Sequence, residues 1–328
     1  MEVKKEGQNE EQKEPFQVND VVLDLNDEKK ENKIPKYLLI GGTAFFILLF
    51  IIALIIVNSS DKSAQEEEIY KIPLGEIICI FDINSTDNET IILGNEFEKN
   101  SDFSIVIDGK IIKEFVKKYS FSEEGEHQVK FQLYDDTINM ENMFKNVKNL
   151  KSVDMYSNSS IKISSMISTF EKCELLNSFN IKGFDTKNIT SLQKLFYNTS
   201  LSKFSLDMDT NNVEDLSYMF ANTNLKIISL TQFNLENAKN TSYMFYMSDS
   251  LLKANLEGIE IKNVEDISHM FQSCKSLNEI NLFNIYVQKL NNMGSIFKDC
   301  ISLVYLNLNS LETLSVTDMS YMLDGCFS

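Results

Sequence analysis

The sequence has no arginine and no tryptophan, and only two histidines, His127 and His269, in 328 residues. Without arginine there is no planar guanidinium fork to hold a phosphate or carboxylate through two parallel hydrogen bonds. With two histidines, one of them inside a repeat, there is no candidate Ser–His–Asp set and no HExxH zinc motif. No glycine-rich phosphate loop is present. The five cysteines, Cys79, Cys173, Cys274, Cys300 and Cys326, fit no zinc spacing. Carboxylates are plentiful but scattered, with no pair at a spacing suited to acid–base chemistry. These absences argue against an enzyme and imply neither cofactor nor metal.

Positive charge is also short. Lysine supplies 31 cations against 48 carboxylates, a net charge of −17. Nucleic acid is excluded as an expected partner, because phosphate binding needs a basic face. A surface that clings to anionic lipid is excluded on the same ground.

One long apolar run is present. Residues 37–57 read YLLIGGTAFFILLFIIALIIV without a charge. A helix of that length spans a hydrocarbon core of roughly 30 Å, so the run is expected to be a single transmembrane helix. It follows a polar tail and is too long for a signal-peptide core, which favours an uncleaved anchor. Lys29, Lys30, Lys33 and Lys36 precede the run, against Lys62 and Lys71 after it. The bias orients the N-terminus to the cytoplasm and the rest outside. The expected localisation is therefore the plasma membrane, with an extracellular C-terminal part. Sequons at Asn58, Asn84, Asn88, Asn158, Asn188, Asn198 and Asn240 all lie on that side. Asn58 is too near the membrane, leaving Asn84, Asn88, Asn158, Asn188, Asn198 and Asn240 as glycosylation candidates.

The organisation follows from composition. Residues 1–36 are charged and mixed in sign, a disordered cytoplasmic tail. Residues 58–68 form a polar stalk. Residues 69–134 carry four β-rich stretches: Glu76–Ile83, Thr90–Phe97, Phe103–Ile112 and His127–Tyr134. Asp108-Gly109 marks a tight hairpin. A second turn is expected over residues 123–126. These features predict a small antiparallel β-unit of about four strands, placed where a solenoid needs a cap.

Residues 135–328 are repetitive. A phenylalanine recurs at 144, 170, 196, 220, 245, 271 and 297, and Leu323 takes the eighth place, in steps of 24 to 26 residues. Each anchor closes a segment such as VEDLSYMF (Val213–Phe220). Val213, Leu216, Met219 and Phe220 are spaced like one face of a helix. The acids near its start suit a helix N-terminus. After each anchor comes L-x-x-φ-x-φ, as in Leu277/Ile280/Leu282. Its last two apolar positions alternate with a polar residue, the period of a strand. The expected fold is an α/β, leucine-rich-repeat-like solenoid, with one short helix plus one strand per about 26 residues. It would follow the transmembrane helix and the small antiparallel β-unit.

Three columns run through the repeats. Cys173, Cys274, Cys300 and Cys326 stand three residues past their anchors, where Val147, Thr199, Thr223 and Ser248 stand elsewhere. The exchange of small residues suggests a tight buried position. A disulfide between neighbours such as Cys274 and Cys300 stays open, to be decided by geometry. The polar residue between the strand apolars is Asp154, Asn180, Ser205, Ser229, Asn255, Asn281 or Asn307. It should point outward on the concave sheet face, as a solvated surface or as a ligand-binding stripe. Two residues before the anchor stand Tyr218, Tyr243, His269 and Tyr321, a boundary column with no catalytic assignment.

The run VEDISHMFQSCKSLNEINL (Val264–Leu282), with VTDMSYMLDGC (Val316–Cys326), resembles the BspA-type leucine-rich-repeat surface proteins over residues 137–328. That resemblance implies cell-surface display and binding of extracellular proteins or adhesion. It brings no catalytic residues. The usual Asp of the motif is replaced in several repeats, and the first repeats are degenerate. The strand expected after Leu323 is absent, which suggests a piece of a longer chain or an end that pairs with something else. The expected function is a membrane-anchored adhesion or protein-binding molecule. The alternative is a receptor-like or scaffold component signalling through its N-terminal tail.

Overall fold

The computed structural model describes residues 71–326 apart from 87, 283, 286, 310 and 312. The 37–57 run, the tail and the stalk lie outside the described residues. Among the described residues no helix is long and apolar enough to cross a membrane.

The repeats form a β-solenoid of about six turns. Strands β1 (Gly75–Ile83), β2 (Thr90–Ile91), β3 (Phe103–Ile107), β4 (Lys110–Ile112), β5 (Lys118–Tyr119) and β6 (Gly125–Leu133) precede it. Strands β7 (Thr137–Asn139), β8 (Leu150–Ser157), β9 (Lys162–Ser165) and β10 (Ser178–Lys182) lead into the repeats. Strands β11 (Lys203–Leu206), β12 (Ile227–Ser229), β13 (Lys253–Asn255) and β14 (Glu279–Asn281) continue them.

The preceding strands are not a separate layer. One seven-stranded sheet runs β11-β10-β8-β1-β6-β3-β4. Parallel strands β8, β10 and β11 belong to the coils, and β1 closes their edge by antiparallel pairing with β8. An open parallel edge would expose a row of unpaired amides and carbonyls, and β1 covers it. At the hairpin, Ile107 pairs with Lys110 across Asp108 (φ 47°) and Gly109 (φ 80°), the left-handed pair that a tight β-turn requires.

The Thr90–Phe97 stretch departs from its expected strand. Only Thr90–Ile91 pairs, with β5. The chain then turns so that the Gly94 N–H donates to Met143 O at 2.8 Å. A Cβ on Gly94 would lie 2.3 Å from Asn142 O, so the approach requires glycine. The β propensity of this stretch yields to its contact with the first coil.

The helices expected in the repeats are absent: among the described residues each anchor segment is a run of turns. The cause is visible in the backbone. Residues two before the anchor (Asn142, Ser168, Lys194, Tyr218, Tyr243, His269, Ser295, Tyr321) all have φ of 52–59°. Those two after it (Asn146, Lys172, Asn198, Asn222, Met247, Ser273, Asp299, Gly325) have φ of 52–77°. Left-handed residues four apart break any right-handed helix. They swing alternate N–H groups along the solenoid axis instead. Each anchor amide from Phe144 to Phe297 donates to a carbonyl of the following coil at 2.9–3.1 Å. The helical i→i−4 bonds are thus replaced by bonds between coils. The 0, 3, 6, 7 spacing of apolar residues fits two successive turns as well as a helix face.

Inside runs a continuous aromatic ladder. Phe144, Phe170, Phe196, Phe220, Phe245, Phe271 and Phe297 stack at 5.3–5.8 Å, each at most 1 % exposed. Phe131 of β6 meets Phe144 edge-on at 5.6 Å, joining the capping strands to the same core. The ladder of strands is less regular. The seven-stranded sheet ends at β11, and β12, β13 and β14 form a second one. This break falls at the two shortened repeats, where Leu201 and Leu225 follow their anchors by five residues instead of six.

Candidate interaction surface

The outward rows of the sheet are the first candidate surface. Asp154 pairs in register with Asn180, and Asn180 with Ser205. In the second sheet Ser229 pairs with Asn255 and Asn255 with Asn281. Asp154, Asn180, Ser205 and Asn307 are exposed, and Ser229, Asn255 and Asn281 half-buried. The structure thus brings six of the seven expected residues into two aligned rows separated by the sheet break, while Asn307 lies outside the described strands.

They are not chemically equivalent. Asn255 Oδ1 accepts from the Glu257 N–H at 3.1 Å, and Asn307 Oδ1 from the Asn309 N–H at 3.0 Å, closing Asx turns. Asn281 Nδ2 donates to Glu257 at 3.0 Å, and the Ser229 and Thr231 hydroxyls lie 2.9 Å apart. Part of this stripe therefore supports its own backbone. On the same face of the capping strands, the Glu76 carboxylate accepts from the Tyr156 hydroxyl and from Gln132 Nε2 at 3.2 Å, with Lys130 Nζ at 3.3 Å. Burial pushes the Glu76 pKa upward, but the Tyr156 and Gln132 hydrogen bonds and the Lys130 charge outweigh it and hold the pKa below its ordinary value.

Sequence reasoning missed the role of the position five before each anchor. Asn139, Ser165, Ser191, Asp215, Asn240, Asp266, Asn292 and Asp318 each accept the N–H two residues on, at 2.7–3.3 Å. This is the motif's Asp, and where Asp is replaced, Asn or Ser closes the same turn. It caps a turn rather than a helix. Asn240, a glycosylation candidate, spends its side chain there and is half-buried. Asn198 is also half-buried, in a left-handed position, while Asn84, Asn88, Asn158 and Asn188 are exposed.

All five cysteines are free. Cys173, Cys274, Cys300 and Cys326 each donate Sγ–H to the carbonyl of the preceding coil's anchor, Phe144, Phe245, Phe271 and Phe297, at 2.9–3.0 Å. Ser248 does the same to Phe220 O at 2.9 Å. Thr199 and Thr223, in the shortened repeats, turn back to their own anchors at 3.0 Å. Burial pushes the Cys300 thiol up to about 12 and raises Cys173 and Cys274 as well. Such thiols are poor nucleophiles.

The turn face carries a second aromatic cluster. Tyr218 and Tyr243 stack at 4.5 Å and 6°, and Tyr243 and His269 at 4.3 Å and 12°. His269 Nδ1 lies 2.5 Å from Gln272 Oε1. Partial burial, with the neighbouring tyrosine hydroxyls, pushes Tyr218 up to about 12. Among the described residues, no group of three or more His, Cys, Asp or Glu side chains could hold a metal ion.

The profile of a family described as "Mycoplasma protein of unknown function, DUF285" matches the chain twice, over residues 118–229 and 214–328. No curated protein and no solved structure matches it.

Proposed function

The chain belongs to the DUF285 family, and from that premise we propose that it is a membrane-anchored repeat protein that binds other proteins at the cell surface, without catalysis. Residues 37–57 serve as the single transmembrane helix, the N-terminal tail lies in the cytoplasm, and the solenoid stands outside. The observation that supports this reading most is the alignment of Asp154, Asn180 and Ser205 into an exposed row on a rigid sheet. A rigid, repetitive and solvent-facing surface suits protein recognition, because little entropy is lost on binding. The likeness of Val264–Leu282 to BspA-type surface repeats supports the same reading. So does the exposure of Asn84, Asn88, Asn158 and Asn188 on the side assigned to the exterior.

Deletion of residues 137–328 tests the proposal. Cells expressing the deleted chain are expected to lose attachment to matrix or partner cells, and Asp154→Lys with Asn180→Lys should weaken it with the fold intact. Unchanged attachment of both variants would rule the proposal out.

A further inference from the structure

A second surface, on the turn face, has chemistry of its own. Tyr197 meets Tyr218 edge-on (5.9 Å, 78°), and Tyr246 meets Tyr243 edge-on (5.5 Å, 77°). The central pair is stacked, so its inner ring faces are used up. The two flanking rings are turned across the stack, and each keeps part of its surface open to solvent. All four tyrosines are half-buried, with the fully buried Ala221 in the rung between Tyr197 and Tyr246. Tyr197, Tyr218 and Tyr243 touch from coil to coil, and Tyr246 packs on Tyr243 of its own coil.

The face of a tyrosine ring is negative and attracts cations. This column already does so with its own chain: Lys194 Nζ lies 5.9 Å from the Tyr218 ring centre and Lys298 Nζ 5.0 Å from that of Tyr321. Carboxylates also outnumber lysines after residue 57, and that excess adds a long-range pull on the same class of partner. Tyrosine is also the residue type that most often anchors protein interfaces, while bare acidic surfaces bind little.

We propose that Tyr197, Tyr218, Tyr243 and Tyr246 form a docking site for a lysine or arginine side chain of a basic polypeptide. The site goes beyond the strand-face reading and does not depend on it. It lies on a different face of the coil, and it would stand if the strand rows bound nothing.

The test uses the full chain in detergent micelles and a fluorescent lysine–serine octapeptide, read by anisotropy at two salt concentrations. Tyr197→Leu with Tyr246→Leu keeps apolar bulk and removes both ring faces. It should weaken binding about five- to twentyfold, from the loss of two cation–π contacts at the surface. Tyr197→Phe with Tyr246→Phe should bind within about twofold of the parent, because the ring face remains. Lysine acetylation of the peptide should abolish binding. Equal binding by the Leu and parent chains would overturn the proposal, leaving only diffuse charge attraction. Capture of phosphatidylcholine vesicles with no capture of peptide would overturn it in favour of a lipid headgroup. Should the Leu variant lose its melting transition, ring-proton shifts of Tyr197 and Tyr246 in the parent decide: shifts on titration support the site, and their absence overturns it.

Discussion

The side-chain amide of Asn292 donates to Oδ2 of Asp266, one coil away, at 3.3 Å. These two belong to a rung-by-rung series, Asp215, Asn240, Asp266, Asn292 and Asp318, whose members bridge in register. Every second rung is neutral. Both residue types close the same turn, but only the amide avoids placing a carboxylate between two others. Asn292→Asp would create three adjacent acids, and like charges directly opposite are destabilising. The loss should be about 1–2 kcal/mol at neutral pH. The introduced carboxyl would have its folded pKa raised, so the penalty is absent below about pH 4, where it is protonated folded or unfolded. It grows as pH rises through the raised value. Urea midpoints of the two chains across that range check both the size and the sign.

Phe220 stacks between Phe196 and Phe245, 5.7 Å from each. Phe220→Ala removes these two ring contacts and a third, to Phe204 at 5.3 Å, and leaves a cavity between coils. The expected cost is about 3–5 kcal/mol. Because coils contact only their neighbours, hydrogen exchange should accelerate first in the coils of Phe196 and Phe245. Uniform acceleration along the chain would contradict the nearest-neighbour account.

Met247 is 43 % exposed with φ 55°. Its backbone is under strain that a methionine gains nothing from. Met247→Gly should be neutral or stabilise by up to about 1 kcal/mol, since glycine accepts that conformation without a Cβ clash. Met247→Val should destabilise by about 1–2 kcal/mol, because a β-branched side chain crowds it further. Thermal melts of the three chains give the order directly.

His127 couples stability to pH in the capping strands. Burial pushes its pKa down, but the Asp108 carboxylate, 2.7 Å from Nδ1, and the Glu123 carbonyl push it up, and the net shift is upward. Its contribution is therefore complete below the ordinary histidine value of about 6.5 and is lost as pH rises through the higher folded value. Asp108→Asn keeps the Oδ1 that accepts the Gln128 N–H at 2.9 Å but removes the charge. That variant should lose less stability than the parent between about pH 6 and about pH 8. Equal slopes would contradict the assignment.

The sequence carried the repeat in plain view, because the buried Phe column tolerates almost no substitution from Phe144 to Phe297. It also carried the alternation of β8, β10 and β13, where Val153, Phe179 and Ala254 face in and Asp154, Asn180 and Asn255 face out. It misled over Val213–Phe220, whose apolar spacing serves a helix and a pair of turns alike. A signal did exist: Asn146, Asn198, Asn222, Ser273, Asp299 and Gly325, two past their anchors, are mostly residue types that tolerate the left-handed region. Tyr218, Tyr243 and His269 gave no such hint, since bulky residues are rarely found there and here coil-to-coil bonding imposes it. The pairing of β1 with β8 spans some seventy residues, beyond the reach of local pattern. The tyrosine cluster joins residues from three successive coils, so it becomes visible only once the coils are stacked.

Display of the solenoid outside the cell is the central proposal. The direct measurement is antibody labelling of residues 137–328 on cells with and without permeabilisation. Staining of intact cells is the predicted result. Staining that appears only after permeabilisation would contradict surface display.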